Sequence, residues 1–216
     1  MYTIIIGNGS LKNYHALKKE AKKAALIICA DGGAKHLQKI SLLPHILIGD
    51  FDSIDSTLLE YYTEQKVHII RYPKNKDFTD TELAIQFALE KGAKQISFFA
   101  VMGNRLDHSL SALYLLKPLI EKNIFAKIIN DTSEVFLIKD TIEIEKDDFT
   151  ILSLLALSET VTGIQTEGLA YPLKGETLFQ GSSLGISNEF TQKKASISIQ
   201  SGFLIVIKTK EEVDEI

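Results

Sequence analysis

The chain has 216 residues, 45% hydrophobic and 24% charged, with a formal net charge of −4, which supplies apolar material for one large or two small cores. Without a basic tract it lacks the electrostatic footprint of a nucleic-acid binder, and its single cysteine, Cys29, excludes an intramolecular disulfide and any CxxC metal site. No segment approaches the roughly 20 apolar residues that span a bilayer, and the start Tyr2-Thr3-Ile4-Ile5-Ile6 carries no basic leader, so no membrane and a reducing cytoplasm are expected.

Up to about residue 130, short apolar runs alternate with helical stretches. The runs cover residues 3–6, 26–30, 45–48, 67–71, 95–101 and 126–129. They are continuously apolar, as parallel strands covered on both faces require. Helices are expected over 55–65, 80–91 and 107–121. The second opens on the capping box Thr79-Asp80-Thr81-Glu82 and stops at Gly92. Beyond residue 130 the rhythm changes. Residues 141–145 and 195–200 alternate polar and apolar, while 150–157, 161–166 and 203–208 are rich in β-branched and aliphatic side chains, with glycines punctuating them. The predicted class is therefore α/β: an N-terminal, mostly parallel sheet flanked by helices over 1–130, then a C-terminal all-β sandwich over 131–216. The boundary falls near 131–140, and a frayed charged tail is expected over 208–216.

Ligands of an open parallel sheet bind beyond the carboxyl ends of its strands. Five loops fall there in turn: Gly7-Asn8-Gly9, Asp31-Gly32-Gly33, Gly49-Asp50-Phe51-Asp52-Ser53, Lys76-Asp77-Phe78-Thr79-Asp80 and Gly103-Asn104-Arg105-Leu106-Asp107-His108. Asp50 and Asp52, two apart, leave an extended backbone on one face; Asp77 and Asp80, three apart, share one side of a helix start. Carboxylates that gather repel one another and lose solvation, so a cation is expected among these four, with Lys76 the one obvious protein counterpart. Mg2+ suits oxygen donors and commonly arrives with phosphates. The competing reading makes Asp52, Ser53, Asp77 and Thr79 helix caps.

The two glycine turns let backbone amides approach a phosphate or nucleotide ring, although strand-to-helix turns use glycine anyway. Arg105 is either a phosphate clamp or the ion-pair partner of Asp107. His108 fits a structural role better than a catalytic one, and Cys29, inside an apolar run, reads as a buried inert thiol.

The motif order Ala30-Asp31-Gly32-Gly33-Ala34, Ile48-Gly49-Asp50-Phe51-Asp52-Ser53, Lys76-Asp77-Phe78-Thr79-Asp80-Thr81-Glu82, Gly103-Asn104-Arg105-Leu106-Asp107-His108 and Gly185-Ile186-Ser187-Asn188-Glu189-Phe190 resembles the thiamine pyrophosphokinase family from Ile6 to Phe190. The resemblance implies transfer of a pyrophosphoryl group from ATP to the hydroxyl of thiamine, giving thiamine diphosphate and AMP, by a homodimer with sites between subunits. It implies catalytic roles for Asp50, Asp52, Asp77, Asp80, Arg105 and Asp107, with the first four binding Mg2+ or orienting its phosphates. ATP would be met by Asn8, Asp31, Gly32, Gly33, Lys76, Thr79 and Arg105, and thiamine by Asp80, Ser187, Asn188 and the aromatic Tyr171. Three departures stand out: Ala100 and Asn104 where the family usually has glycine, and Ala112 where it has asparagine. Ala100 is expected to alter local packing only, and Asn104 to tolerate a positive φ.

Other readings carry less of this pattern. A pyrophosphokinase for a pterin-like alcohol is the nearest alternative. A phosphatase built on Asp50 and Asp52 would want the pair after the first core strand, not the third. A non-catalytic nucleotide- or thiamine-binding module would need no carboxylate cluster.

Overall fold

Runs of Ile, Leu, Phe and Val that cannot stay in water form the strands of a first unit, Met1–Asp131, in a computed structural model that describes residues 1–211. The strands are β1 (Tyr2–Ile6), β2 (Leu26–Ala30), β3 (Ile46–Gly49), β4 (His68–Arg71), β5 (Gln95–Phe99) and β6 (Phe125–Ile129). Every pairing among them is parallel, in the order β6-β5-β1-β2-β3-β4. All five residues of β2 are buried, as its unbroken apolar run demands. The order reverses at β1, so the loops after β1 and β5 diverge and open a crevice where such sheets bind ligands.

The helices are α1 (His15–Ala21), α2 (Ala34–Gln38), α3 (Ser56–Glu64), α4 (Asp80–Glu90), α5 (Leu106–Tyr114) and α6 (Leu116–Glu121). Helix α4 buries Leu83, Ala84, Ile85 and Ala88 and packs across β1, β2 and β3. None of the described helices is long and apolar enough to cross a membrane. The single helix expected over 107–121 is two, broken at Leu115. Pro118 explains the break: it has no N–H for the Tyr114 carbonyl, and its ring crowds that oxygen. Strand β5 also stops at Phe99 and not at 101, because Ala100 turns the chain with φ at 51°. The Ala100 departure is thus a backbone matter and not one of packing alone, since glycine would adopt this left-handed turn without cost. Asn104, by contrast, does not need a positive φ.

Helix α4 ends as expected on Gly92, with Gly92 N–H on Leu89 O and Ala93 N–H on Ala88 O, the paired bonds of a Schellman motif. Helix α3 closes the same way, Lys66 N–H on Thr63 O and Val67 N–H on Tyr62 O, but with an exposed Lys66 at φ 58°. Lys66→Gly removes a strained Cβ without uncovering any core. It is expected to raise stability by about 1 kcal/mol, seen as a higher urea midpoint at unchanged slope.

The second unit begins at Thr132, and its described residues form strands and loops without a helix. Strands β7 (Ser133–Ile138), β14 (Leu204–Thr209), β9 (Ile151–Ala156) and β12 (Asn188–Glu189) make one antiparallel sheet, in the order β12-β9-β14-β7. Strands β8 (Thr141–Glu145), β13 (Lys194–Ser198), β10 (Thr160–Glu167) and β11 (Lys174–Phe179) make the other, in the order β11-β10-β13-β8. Alternate residues point inward: Leu152, Leu154 and Ala156 from one sheet meet Val161, Ile164, Ala195 and Ile197 from the other in one core. Strands β7, β11 and the short β12 escaped the sequence reading. Ser133–Ile138 lies in the stretch taken as a boundary, yet Val135 to Ile138 are all buried.

The tail is a correction. Lys208, expected both to close the 203–208 run and to begin a frayed end, is in β14 and only 3% exposed. Its Nζ meets Asp147 Oδ2 at 2.6 Å and lies over the Phe149 ring, so its charge is paired where burial would otherwise be costly. Thr209 completes β14 and the Lys210 N–H meets the Thr132 carbonyl, while 212–216 lies outside the described residues.

Candidate active site

The loops at the carboxyl ends of β1, β2, β4 and β5, with Asp52 and Ser53 after β3, surround a cavity of about 770 Å3. Among the expected residues, Asn8, Asp31, Asp52, Lys76, Thr79, Asp80 and Arg105 line it. Asp107 opens instead onto an adjoining 230 Å3 cavity with Thr81, His108 and Ala112. Gly32 and Gly33 sit behind the rim, buried in the turn that carries Asp31.

At the back of the site three carboxylates converge. Asp31, Asp50 and Asp80 each offer an oxygen, and these oxygens lie within 4.8 Å of one another. Local geometry forces the meeting. Asp31 sits at φ 47°, a strained conformation that aspartate tolerates better than most residues. Gly49, at φ 155°, presses so close that a Cβ there would lie 3.2 Å from Asp31 Cα and Cβ. The glycine thereby lets Asp50 approach Asp31. Asp80 joins from the first turn of α4, where Thr79 caps the helix and Glu82 completes the box.

The expected set was Asp50, Asp52, Asp77 and Asp80. The structure groups two of these with Asp31 and leaves the other two outside the group. Asp52 points to the rim, where Lys74 Nζ lies 2.7 Å from its Oδ2 and pulls its pKa down. Asp77 is exposed on the loop before α4. Lys74 is a cation the sequence reading missed, as is Lys35, whose Nζ reaches Asn8 Oδ1 at 2.6 Å and the Asn8 carbonyl at 3.2 Å. Both line the cavity. Their signal was legible: Lys74 is two residues before Lys76, and Lys35 follows the Asp31-Gly32-Gly33-Ala34 turn.

The electrostatics of the cluster are short of positive charge. Lys76 Nζ sits 3.3 Å from Asp50 Oδ2 and 3.0 Å from Asp80 Oδ1. Burial nonetheless holds the Asp80 pKa above the usual range, and the neighbouring Asp31 and Asp50 charges add to the rise that Lys76 only partly offsets. Asp31 Oδ1 is buried with no hydrogen-bond partner. A polar atom left so inside a protein is costly, and a hard divalent cation bound to these oxygens would satisfy it.

Other expected residues are already engaged. The Thr79 hydroxyl donates to Glu82 Oε2 at 2.9 Å and accepts from Glu82 N at 3.2 Å, so a phosphate oxygen takes its hydrogen only by displacing Glu82. Arg105 grips Asp107 through two bonds, Nε to Oδ1 at 3.2 Å and Nη2 to Oδ2 at 2.6 Å, both groups being exposed. An exposed pair of this kind is weak enough to exchange for a phosphate. In the second unit Asn188 is buried, and its amide clasps the backbone of Tyr171, accepting from Tyr171 N at 3.0 Å and donating to Tyr171 O at 2.7 Å. Tyr171 itself is 70% exposed. Ser187 is exposed at φ 58°, with its N–H on Ser153 Oγ.

One further residue supports the rim without touching the cavity. His36 is 2% exposed, with Nε2 3.0 Å from the Gly9 carbonyl and Nδ1 3.0 Å from Tyr14 Oη, so it pins the Gly7-Asn8-Gly9 loop to α2. Burial lowers its pKa; the Gly9 carbonyl opposes the shift, Lys35 and Lys39 reinforce it, and Asp131 opposes it. A depressed histidine pKa means that the unfolded chain takes the proton first. The contribution is complete above the unfolded value of about 6.5 and is lost as pH falls below it. Urea unfolding from pH 7.5 to 5.5 is expected to show stability falling with acid, and His36→Gln to flatten that slope. Cys29 is buried as expected, and burial pushes its thiol pKa far up, which disqualifies it as a nucleophile.

Known proteins carry the same two-part pattern. The family pattern described as "Thiamin pyrophosphokinase, catalytic domain" matches residues 17–128, and that described as "Thiamin pyrophosphokinase, vitamin B1 binding domain" matches 139–204. A thiamine pyrophosphokinase of Bacillus subtilis is 31% identical over 214 residues, covering 98% of this chain and 100% of the relative. The crystal structure of a thiamine pyrophosphokinase from Bacillus subtilis superposes with a TM-score of 0.91 at 28% identity, covering 98% of this chain and 100% of the other. That of a thiamin pyrophosphokinase from Geobacillus thermodenitrificans gives 0.86 at 26% identity, covering 98% and 99%. With both halves matched in order and the motif-bearing loops gathered on one rim, the chain belongs to the thiamine pyrophosphokinase family.

Proposed function

We propose that the chain is a thiamine diphosphokinase, which transfers a pyrophosphoryl group from ATP to the hydroxyl of thiamine and releases AMP. The observation that carries the mechanism is the meeting of Asp31, Asp50 and Asp80 beside a cavity whose walls also hold Lys35, Lys74, Lys76 and Arg105. Phosphoryl chemistry asks little covalent work of a protein and much neutralisation and alignment.

In the reaction the thiamine hydroxyl oxygen bonds to the β-phosphorus of ATP, the bond from that phosphorus to the bridging oxygen of AMP breaks, and the hydroxyl proton passes to a carboxylate on the rim. Asp31, Asp50 and Asp80 would hold Mg2+, with Asp52 and Asp77 on the same loops facing the metal-bound phosphates; the ion would supply charge neutralisation of the β- and γ-phosphates. The amides of the glycine turns at Asn8 and at Gly32 and Gly33 and the side chains of Lys76, Thr79 and Arg105 would orient ATP. Arg105 would exchange Asp107 for a phosphate oxygen. Tyr171, held by Asn188, would offer its exposed ring to the cationic thiazolium, with Ser187 beside it.

We assign a homodimer as the working form. Helix α5 leaves Leu106, Leu110 and Tyr114 exposed one turn apart, and the second unit exposes Tyr171, Phe179, Leu184 and Ile186, apolar surface that a second copy would cover. A single buried thiol fits work in the cytoplasm.

The assay is AMP release from ATP with Mg2+. Release is expected with thiamine, not with a pterin alcohol or without acceptor, and is expected to stop in EDTA. Tight thiamine binding without AMP would instead identify a sensing module, though the family relationship favours the enzyme.

A further inference from the structure

Outside the roles already given, one group in the site is placed in a way the reaction alone does not explain. Lys76 is the ammonium of the carboxylate cluster. Its side chain is 13% exposed, and its Nζ touches Asp50 and Asp80 together at 3.3 and 3.0 Å. These are two of the three carboxylates whose oxygens converge, and the third, Asp31, is 8% exposed with an oxygen that nothing bonds. The lysine therefore ion-pairs with two of the carboxylates that a divalent cation would need, while Asp31 Oδ1 and Asp80 Oδ1 both stay buried without a hydrogen bond.

We infer that Lys76 is a stand-in cation, which bridges Asp50 and Asp80 in the metal-free protein and moves to the phosphates of ATP when a divalent ion enters. The inference rests on the reading of the site as an ATP site. Three carboxylates against one ammonium leave the cluster negative, so a divalent ion is still attracted with the lysine in place. Such an ion binds oxygens far more closely than an ammonium does, at about 2.1 Å for Mg2+, and takes the Asp50 and Asp80 oxygens from Lys76. The displaced ammonium is then repelled by the ion. It has somewhere to go: it hangs on a flexible four-carbon stem from the loop before α4 and lines the same cavity as Arg105 and Lys35. A lysine fixed for folding alone would have no reason to leave. The exposed Lys74–Asp52 pair differs, since both of its members already face water and neither competes for the convergent oxygens.

Mn2+ binding to nucleotide-free protein, followed by electron paramagnetic resonance, separates these cases. Lys76→Met is expected to bind Mn2+ about tenfold more tightly than wild type, since a competing charge is gone, and a non-hydrolysable ATP analogue with Mg2+ about tenfold more weakly. Unchanged or weaker Mn2+ binding, or an unchanged affinity for the analogue, would overturn the inference. A second measurement needs no variant: acetylation of Lys76 in wild-type protein, read by mass spectrometry against the exposed Lys66. Labelling is expected to be slow in EDTA, faster with Mn2+, and slow again once the analogue is added. No rise with saturating Mn2+ would sink the idea even if Lys76→Met fails to fold. Because the Mn2+ arms contain no substrate, they stand apart from the AMP assay, and either reading can fail without the other.

Discussion

Asp80→Asn is expected to lower kcat/KM for AMP release about a thousandfold, or about 4 kcal/mol of transition-state stabilisation, while leaving the fold intact. The two halves of this expectation have one cause. Asp80 is carried into a partly buried position at the start of α4, near Asp31 and Asp50, and its pKa is raised by burial first and by those charges next. A carboxyl whose folded pKa exceeds its unfolded value of about 4 stabilises the fold when protonated, and that contribution is lost as pH rises through the folded value. At neutral pH the charge is therefore a burden on folding, and the amide, of the same shape, relieves it. Lys76 keeps Asp50 as a partner. The thermal midpoint in EDTA is expected to stay within about 4 °C of wild type, equivalent to about 1 kcal/mol in a chain of this size. An Asp80→Asn protein that turns over normally would remove the carboxylate cluster from the mechanism. One that unfolds would show that Asp80 is there for the fold.

Gly33→Ala is expected to cost about 3 kcal/mol of stability, visible as a drop of roughly 9 °C in midpoint. A Cβ at this position would lie 2.3 Å from the Ile6 carbonyl oxygen and 2.8 Å from that of Gly7. Both are backbone atoms at the end of β1, with no side-chain rotation available to clear them. The alternative is to push the turn off the strand, which carries Asp31 away from Asp50 and Asp80. Loss of Mg2+-dependent activity is expected to accompany the loss of stability for that reason. Gly103→Ala is the control, because its Cβ would meet nothing closer than Ser10 N at 3.4 Å, and its cost is expected within about 0.5 kcal/mol. Equal behaviour of the two variants would refute the close-approach explanation for the glycines of this rim.

Much of the frame was legible because it depends on what each short segment can do with water. Continuously apolar runs such as Leu26–Ala30 have no face to leave exposed, so they read as central parallel strands and are. The alternation at Thr141–Glu145 and over 195–200 likewise foretold half-buried strands of a sandwich. Thr79 and Glu82 announced the start of α4 because capping is a matter of three-residue geometry. The break in the helix at Leu115 was also written locally, in Pro118, and was overlooked.

The candidate site divides along the same line. The sequence alone determined that acidic and glycine-rich loops follow successive strands, that Cys29 is inert and that Asp50, Asp52, Asp77 and Asp80 lie on those loops. Spacing within one element says which side chains share a face. It says nothing of distances between elements, and those chose the partners here. Only the register that sets Ala30 beside Ile48, with no Cβ on Gly49 to crowd Asp31, brings Asp31 to Asp50. Only the path of the loop after β4 gives Asp52 to Lys74 and leaves Lys76 between Asp50 and Asp80. Charges find one another through space, and that space exists only once the strands have packed.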